Sequence, residues 1–153
     1  MSLHSAIMKL TPETVVIDND TIVTLKYNGK VYKGFAFCHR EDVDFYSEIV
    51  GTTIAHLRAL IKIYDDEIAR AEQTAITLWS AYKDVIYNSQ TEGVPADPTG
   101  AFLGRVSAAQ NLVFRYKDQQ QTLKKRLRSY LANQDKCISN IKAQREANKD
   151  KID

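Results

Sequence analysis

The sequence holds only two cysteines, Cys38 and Cys137. They allow at most one bridge, which excludes a disulfide framework. With no signal peptide in view, reduced thiols in a cytoplasm are the expectation. Three prolines and six glycines exclude collagen-like and Pro-rich classes. No apolar run approaches the roughly 18 residues of a membrane span, so no membrane partner is expected. There is no Gly-rich phosphate loop either, because Gly100-Ala101-Phe102-Leu103-Gly104 reads as a helix start rather than a Walker motif.

What remains is ordinary globular composition: 153 residues, 44% hydrophobic and 26% charged. The net charge of +2 is unevenly placed. Residues 1–100 hold 9 Lys and Arg against 14 Asp and Glu, whereas residues 101–153 hold 12 against 5. A basic C-terminal third can meet nucleic acid or the acidic part of its own chain.

Residues 1–10 show no periodic pattern and are left out of the fold argument. Residues 13–38 read as three strands. Thr14 to Ile17 is β-branched, Asp18-Asn19-Asp20 is turn chemistry, and Thr21 to Tyr27 is β-rich again. Asn28-Gly29 then predicts a type I′ hairpin, whose two central residues need positive φ. That turn sets Tyr27 opposite Lys30, Leu25 opposite Tyr32 and Ile22 opposite Phe35, with Gly34 suggesting a bulge. Asp44 with Ser47-Glu48 supplies the N-cap and first-turn acids of a helix.

From Val50 the apolar residues step by alternating fours and threes. Leu57, Ile61, Tyr64, Ile68, Leu78 and Tyr82 lie on this stripe, and Trp79 lies beside it. Asn88 to Gly100 interrupts the period. It resumes with Val113, Tyr116, Leu123, Leu127 and Tyr130. A 3.5-residue period sustained this long predicts coiled-coil seams, and a short connector turns the second helix back against the first. The predicted fold is therefore α+β: an N-terminal antiparallel β-meander over residues 1–45, then a long antiparallel two-helix coiled-coil hairpin over 46–153 with its loop at about 88–101. With the loop centred near residue 95, Asp65 and Asp66 are predicted beside Lys125 and Lys124. Apolar residues beside the stripe, Leu60, Ile76, Trp79, Phe114, Leu131 and Ile138, are more than two helices need and predict a homo-oligomer.

Catalytic chemistry finds little support. Cys38-His39-Arg40-Glu41-Asp42, with Asp44 and His56, gathers ligand types without Cys-x-x-Cys or His-x-x-x-His spacing. His39 is badly aimed to activate Cys38, whereas His56, about two turns into the helix, could approach it. Asp65 and Asp66 point in different helical directions. No catalytic residue, metal or cofactor is expected, and the chain is read as a non-enzyme. Lys124, Lys125, Arg126 and Arg128 form the alternative, a nucleic-acid contact. The strand aromatics Tyr27, Tyr32, Phe35 and Phe37, interleaved with Lys26, Lys30, Lys33 and Arg40, form another. The simpler expectation is that Phe35 and Phe37 are core and that the strand lysines protect an edge.

Gly29-Lys30-Val31-Tyr32-Lys33-Gly34-Phe35-Ala36-Phe37-Cys38 and Gly51-Thr52-Thr53-Ile54-Ala55-His56-Leu57-Arg58-Ala59 frame an acidic turn. This arrangement resembles a segment of small uncharacterised phage and prophage proteins, which carry a Gly-Lys-x-Tyr-x-Gly-x-Ala-x-Cys strand and a Gly-x-x-Ile-Ala-x-x-Arg-Ala helix. The likeness covers about 30 residues, and the acidic turn here is longer than in that pattern. It implies phage or prophage origin and a cytoplasmic role during infection, with no known activity. The chain is read as an accessory protein that oligomerises and binds an unknown protein partner.

Overall fold

The computed structural model describes residues 2–38, 47–93, 95 and 97–152, without the side chains of 150–152. The expected acidic turn, with His39, Arg40, Glu41, Asp42 and Asp44, lies outside the described residues. The elements run α1 (Leu3–Met8), β1 (Glu13–Ile17), β2 (Asp20–Tyr27), β3 (Lys30–Ala36), α2 (Glu48–Glu92) and α3 (Ala101–Ile152). This is the α+β meander and helical hairpin that the pattern predicts. No helix among the described residues is long and apolar enough to cross a membrane.

Two tight turns set the sheet. Asn28 and Gly29 have φ of 52° and 75°, and Asp18 and Asn19 have 49° and 68°. These left-handed pairs twist as the flanking strands do, so both hairpins close in two residues. The strands pair antiparallel in the order β1-β2-β3. Tyr27–Lys30, Leu25–Tyr32 and Ile22–Phe35 pair as the turn chemistry predicts. Gly34 is not a bulge: it pairs in register with Val23.

The chain divides into two compact units, Met1–Ile63 with Thr122–Asp153, and Tyr64–Gln121. In the first, one sheet face is buried. Val23, Leu25, Tyr32 and Ala36 pack with Ile54, Ala55, Leu57, Leu60 and Ile63 of α2 in the core. Residues 1–10, left aside in the sequence argument, contribute as well. Ser2 caps α1 by accepting from the Ser5 amide at 3.2 Å, and Ile7 is fully buried. A helix of six residues is under two turns, too short for a periodic signal.

In the second unit, Ala71, Ala75 and Val113 form a small core with Ala109 and Tyr116 packed against it. The helices are joined by a connector whose ends are fixed by backbone chemistry. Gly93 and Gly100 both have φ near 70°, at 71° and 70°. Asp97 caps α3 with both carboxylate oxygens, accepting from the Phe102 amide at 3.1 Å and the Leu103 amide at 2.9 Å. The negative charge of its carboxylate is also favourable at the positive end of the helix dipole.

Candidate functional site

In the first unit a cavity of about 450 Å³ is lined by Phe35, Phe37, Arg58, Ile61, Lys62, Lys124 and Leu127. It lies beside the outer edge of β3. The carbonyls of Lys33 and Phe35 are two residues apart on that strand, about 6.7 Å. Lys62 and Arg58 are four apart on α2, a rise of about 6 Å. The match lets the Lys62 ammonium donate to the Lys33 carbonyl at 2.6 Å and the Arg58 guanidinium donate to the Phe35 carbonyl at 2.7 Å. Helical cations thus protect the edge where strand lysines were expected to do so.

Phe37 departs from its expected place in the core, being 72% exposed. It follows Phe35 by two residues, so the rings share a sheet face and stack with centroids 5.9 Å apart and planes 4° apart. The Lys62 ammonium sits 5.4 Å from the Phe35 ring centre. Phe37 continues past the end of β3, where the Cys38 amide donates to Asp20 at 3.1 Å. The expected seam residues Ile61 and Leu127 are only half-buried and form the apolar floor with the two rings.

Of the other residues singled out in this unit, Leu57 and Leu123 are buried and Tyr130 is half-buried. Lys124 is half-buried against the cavity, while Lys125, Arg126 and Arg128 are exposed. The basic helix and the strand aromatics were two separate nucleic-acid candidates in sequence, and Lys124 brings them to one place. Arg58 and Lys62 were not singled out. Their i, i+4 spacing is visible in sequence, but their approach to β3 depends on a contact across some 25 residues.

In the second unit the seam residues Tyr64, Ile68 and Val113 are buried, and Leu78, Tyr82 and Tyr116 are half-buried. Asp65 accepts from the side-chain Nε2 of Gln120 at 2.6 Å, a few residues along α3 from the Lys125 predicted beside it. Glu67 pairs within its own helix with Arg70 at 3.2 Å. Glu72 crosses to Lys117 at 2.8 Å. Both Glu72 and Lys117 directly follow seam positions, so they mark one side of the helix pair. Trp79 and Leu103 occupy the equivalent positions further along, and Ile76 and Phe114 lie just outside them. Ile76, Trp79, Leu103 and Phe114 are 59%, 42%, 44% and 70% exposed. They form one apolar stripe on the same side as the ion pair. Tyr82 holds the seam beneath it, its ring 5.5 Å from Phe102.

His56 is half-buried on α2, and its Nε2 has no hydrogen-bond partner among the described residues. Burial lowers its imidazole below the ordinary 6.5. The fold therefore favours the neutral ring, while the unfolded chain takes the proton more readily. This contribution is complete above the unfolded value and is lost as pH falls through the lowered folded one. The urea midpoint is expected to drop between about pH 7 and about pH 5, and His56→Leu should flatten part of that slope. An equal slope in both proteins would contradict it. Among the described residues, no three of His, Cys, Asp and Glu gather as metal ligands.

Compared with family models, curated proteins and solved structures, the chain finds no match.

Proposed function

We propose that this chain is a non-enzymatic phage or prophage accessory protein of the cytoplasm, which self-associates through its helical hairpin and, so assembled, binds a partner protein. The observation that carries the reading is the apolar stripe of Ile76, Trp79, Leu103 and Phe114 in the second unit. Between the Glu72–Lys117 pair at one end and Lys83 at the other, the positions on this side are Ile76, Trp79, Leu103, Ser107, Gln110 and Phe114, all uncharged. Contiguous exposed apolar surface with a charged border marks an interface.

The occupant is a second copy of the chain. Leu103 and Trp79 lie towards the connector and Phe114 lies away from it, with Ile76 between. A twofold axis through Ile76 sets each Phe114 against the partner's connector end, and two hairpins so joined make a four-helix bundle. No like charges meet across that axis within the stripe. The phage or prophage setting rests on the resemblance of the Gly29–Cys38 strand and the Gly51–Ala59 helix.

Light scattering behind gel filtration, at high micromolar protein, is expected to give at least twice the 17.4 kDa of one chain. The double change Ile76→Glu and Trp79→Glu should return the monomer mass with helical circular dichroism intact, since both side chains lie at exposed positions outside the seam. A wild-type monomer, or a dimer indifferent to the double change, would refute assembly through this stripe.

A further inference from the structure

We propose that the cavity beside β3 binds single-stranded nucleic acid, a base stacking on Phe37 while Arg58, Lys62 and Lys124 hold the backbone phosphates. The proposal stands on the first unit alone and does not rest on self-association.

The cavity is the size of small-ligand sites, at about 450 Å³, and its lining divides sharply. The uncharged members are Phe35, Phe37, Ile61 and Leu127, and the charged members are all cations. An anion with a flat apolar body fits such a lining. Phe35 and Phe37 already stack in parallel, 5.9 Å between centroids. Lys62 covers the Phe35 ring, and Phe37 is the wetter of the two. A base therefore extends the stack from the Phe37 side, and every base has a π-face to offer.

The cations are prepared for phosphate. Arg58 and Lys62 each spend a donor on a β3 carbonyl, which fixes their position. A guanidinium has four further N–H groups and an ammonium two, so both keep donors for a ligand. Holding them in place beforehand reduces the ordering cost of binding. Lys124 makes no hydrogen bond or ion pair among the described residues, although its side chain is half-buried against the cavity. Lys33 shares the sheet face of Phe35 and Phe37 by the two-residue alternation, and Arg128 lies one helical turn beyond Lys124. Together they carry the positive path out of both ends of the cavity.

The same features disfavour other occupants. A duplex keeps its bases stacked on one another and cannot offer a face to Phe37. A fatty acid needs an enclosed apolar tunnel, whereas these rings stand at an open rim. An acidic peptide uses the cations and leaves the ring stack unexplained.

The test is fluorescence anisotropy of a labelled oligothymidylate of about 12 nucleotides, titrated between about 0.05 and 0.2 M salt. Three phosphates held by three cations give a slope of log K against log salt near −2. Phe37→Ala is expected to weaken binding about tenfold with the slope unchanged, and Phe37→Trp to restore it. Lys124→Gln should reduce the slope by about 0.7, and Lys136→Gln, an exposed control on the same helix, should change neither quantity. All three side chains are replaced at exposed or half-exposed positions, and unchanged circular dichroism verifies the fold. No binding tighter than about 10⁻³ M at the lowest salt overturns the proposal. So does a duplex of equal length binding as tightly, indifference to Phe37→Ala, or stronger competition by an acidic peptide than by unlabelled oligonucleotide.

Discussion

Replacing Gly34 by alanine is expected to destabilise the protein by about 3 kcal/mol, at the upper end of what overpacking costs. A Cβ at this position would fall inside the Ala55 carbonyl oxygen, and it would lie 2.7 Å from the Ala59 amide nitrogen. These are backbone atoms of α2, so no side chain can swing aside. Either the helix lifts from the sheet or β3 shifts in its pairing with β2. Lifting the helix exposes Leu25, Tyr32 and Leu60 together, because all three belong to the core between the two elements. Gly104→Ala is the control. Nothing lies within 4 Å of a Cβ there, and the residue is inside α3. That change should be neutral or stabilise by up to about 1 kcal/mol. Urea unfolding of the two variants measures the contrast as a change in midpoint at similar m. Equal midpoints would mean that the α2 backbone does not pack directly on Gly34 of β3.

The contrast between the two glycines also separates what the sequence discloses from what it conceals. Asn28-Gly29 specifies its own turn through positive φ, and one turn fixes the register of every pair on β2 and β3. Local chemistry decides, so a reader of the sequence can follow it. The 3.5-residue period is legible for a related reason. Tyr64, Ile68, Ala71, Ala75 and Val113 are buried because the same spacing recurs turn after turn. Gly34 is different. In a strand, a lone glycine signals either a bulge or a close approach, and only the position of α2 distinguishes them. Phe37 escaped for a similar reason. Its alternation with Phe35 places both on one face, but which sheet face the helices cover is a tertiary fact. The helical register is legible to within a few residues: Asp65 with Gln120 and Glu72 with Lys117 lie close to the pairing that a loop centred near residue 95 predicts. The candidate cavity is less legible: Lys124 was visible as one of a basic run, and Arg58 only as part of a helical motif. Their meeting beside β3 was not visible.

Tyr64→Ala should cost about 3–5 kcal/mol, the other large loss expected in this molecule. Tyr64 is among the largest fully buried side chains. Its ring meets Tyr116 edge-on, with centroids 6.5 Å apart and planes at 71°. The hydroxyl donates to the Gln119 side-chain oxygen at 3.2 Å across the seam. Truncation removes the ring contact and leaves a cavity between two helices, and neither backbone can collapse without moving the Asp65–Gln120 bond beside it. Tyr64→Phe separates the terms. It keeps the ring and gives up only the hydroxyl, so its loss should be near 1 kcal/mol. The two variants also differ from the wild type in alkali. Burial, and then the neighbouring Tyr116, push the Tyr64 hydroxyl up to about 12. The folded chain therefore holds this proton more tightly than the unfolded one. The stability it contributes is complete below about pH 10 and is lost as pH rises towards 12. Urea unfolding at about pH 7 and about pH 11 measures both effects. Tyr64→Phe should lose less stability than the wild type between those two values, although it starts slightly weaker. If the wild type and Tyr64→Phe lose equal amounts, the hydroxyl is not shielded by the seam; if Tyr64→Ala costs no more than Tyr64→Phe, the ring is not part of the packing that joins the helices.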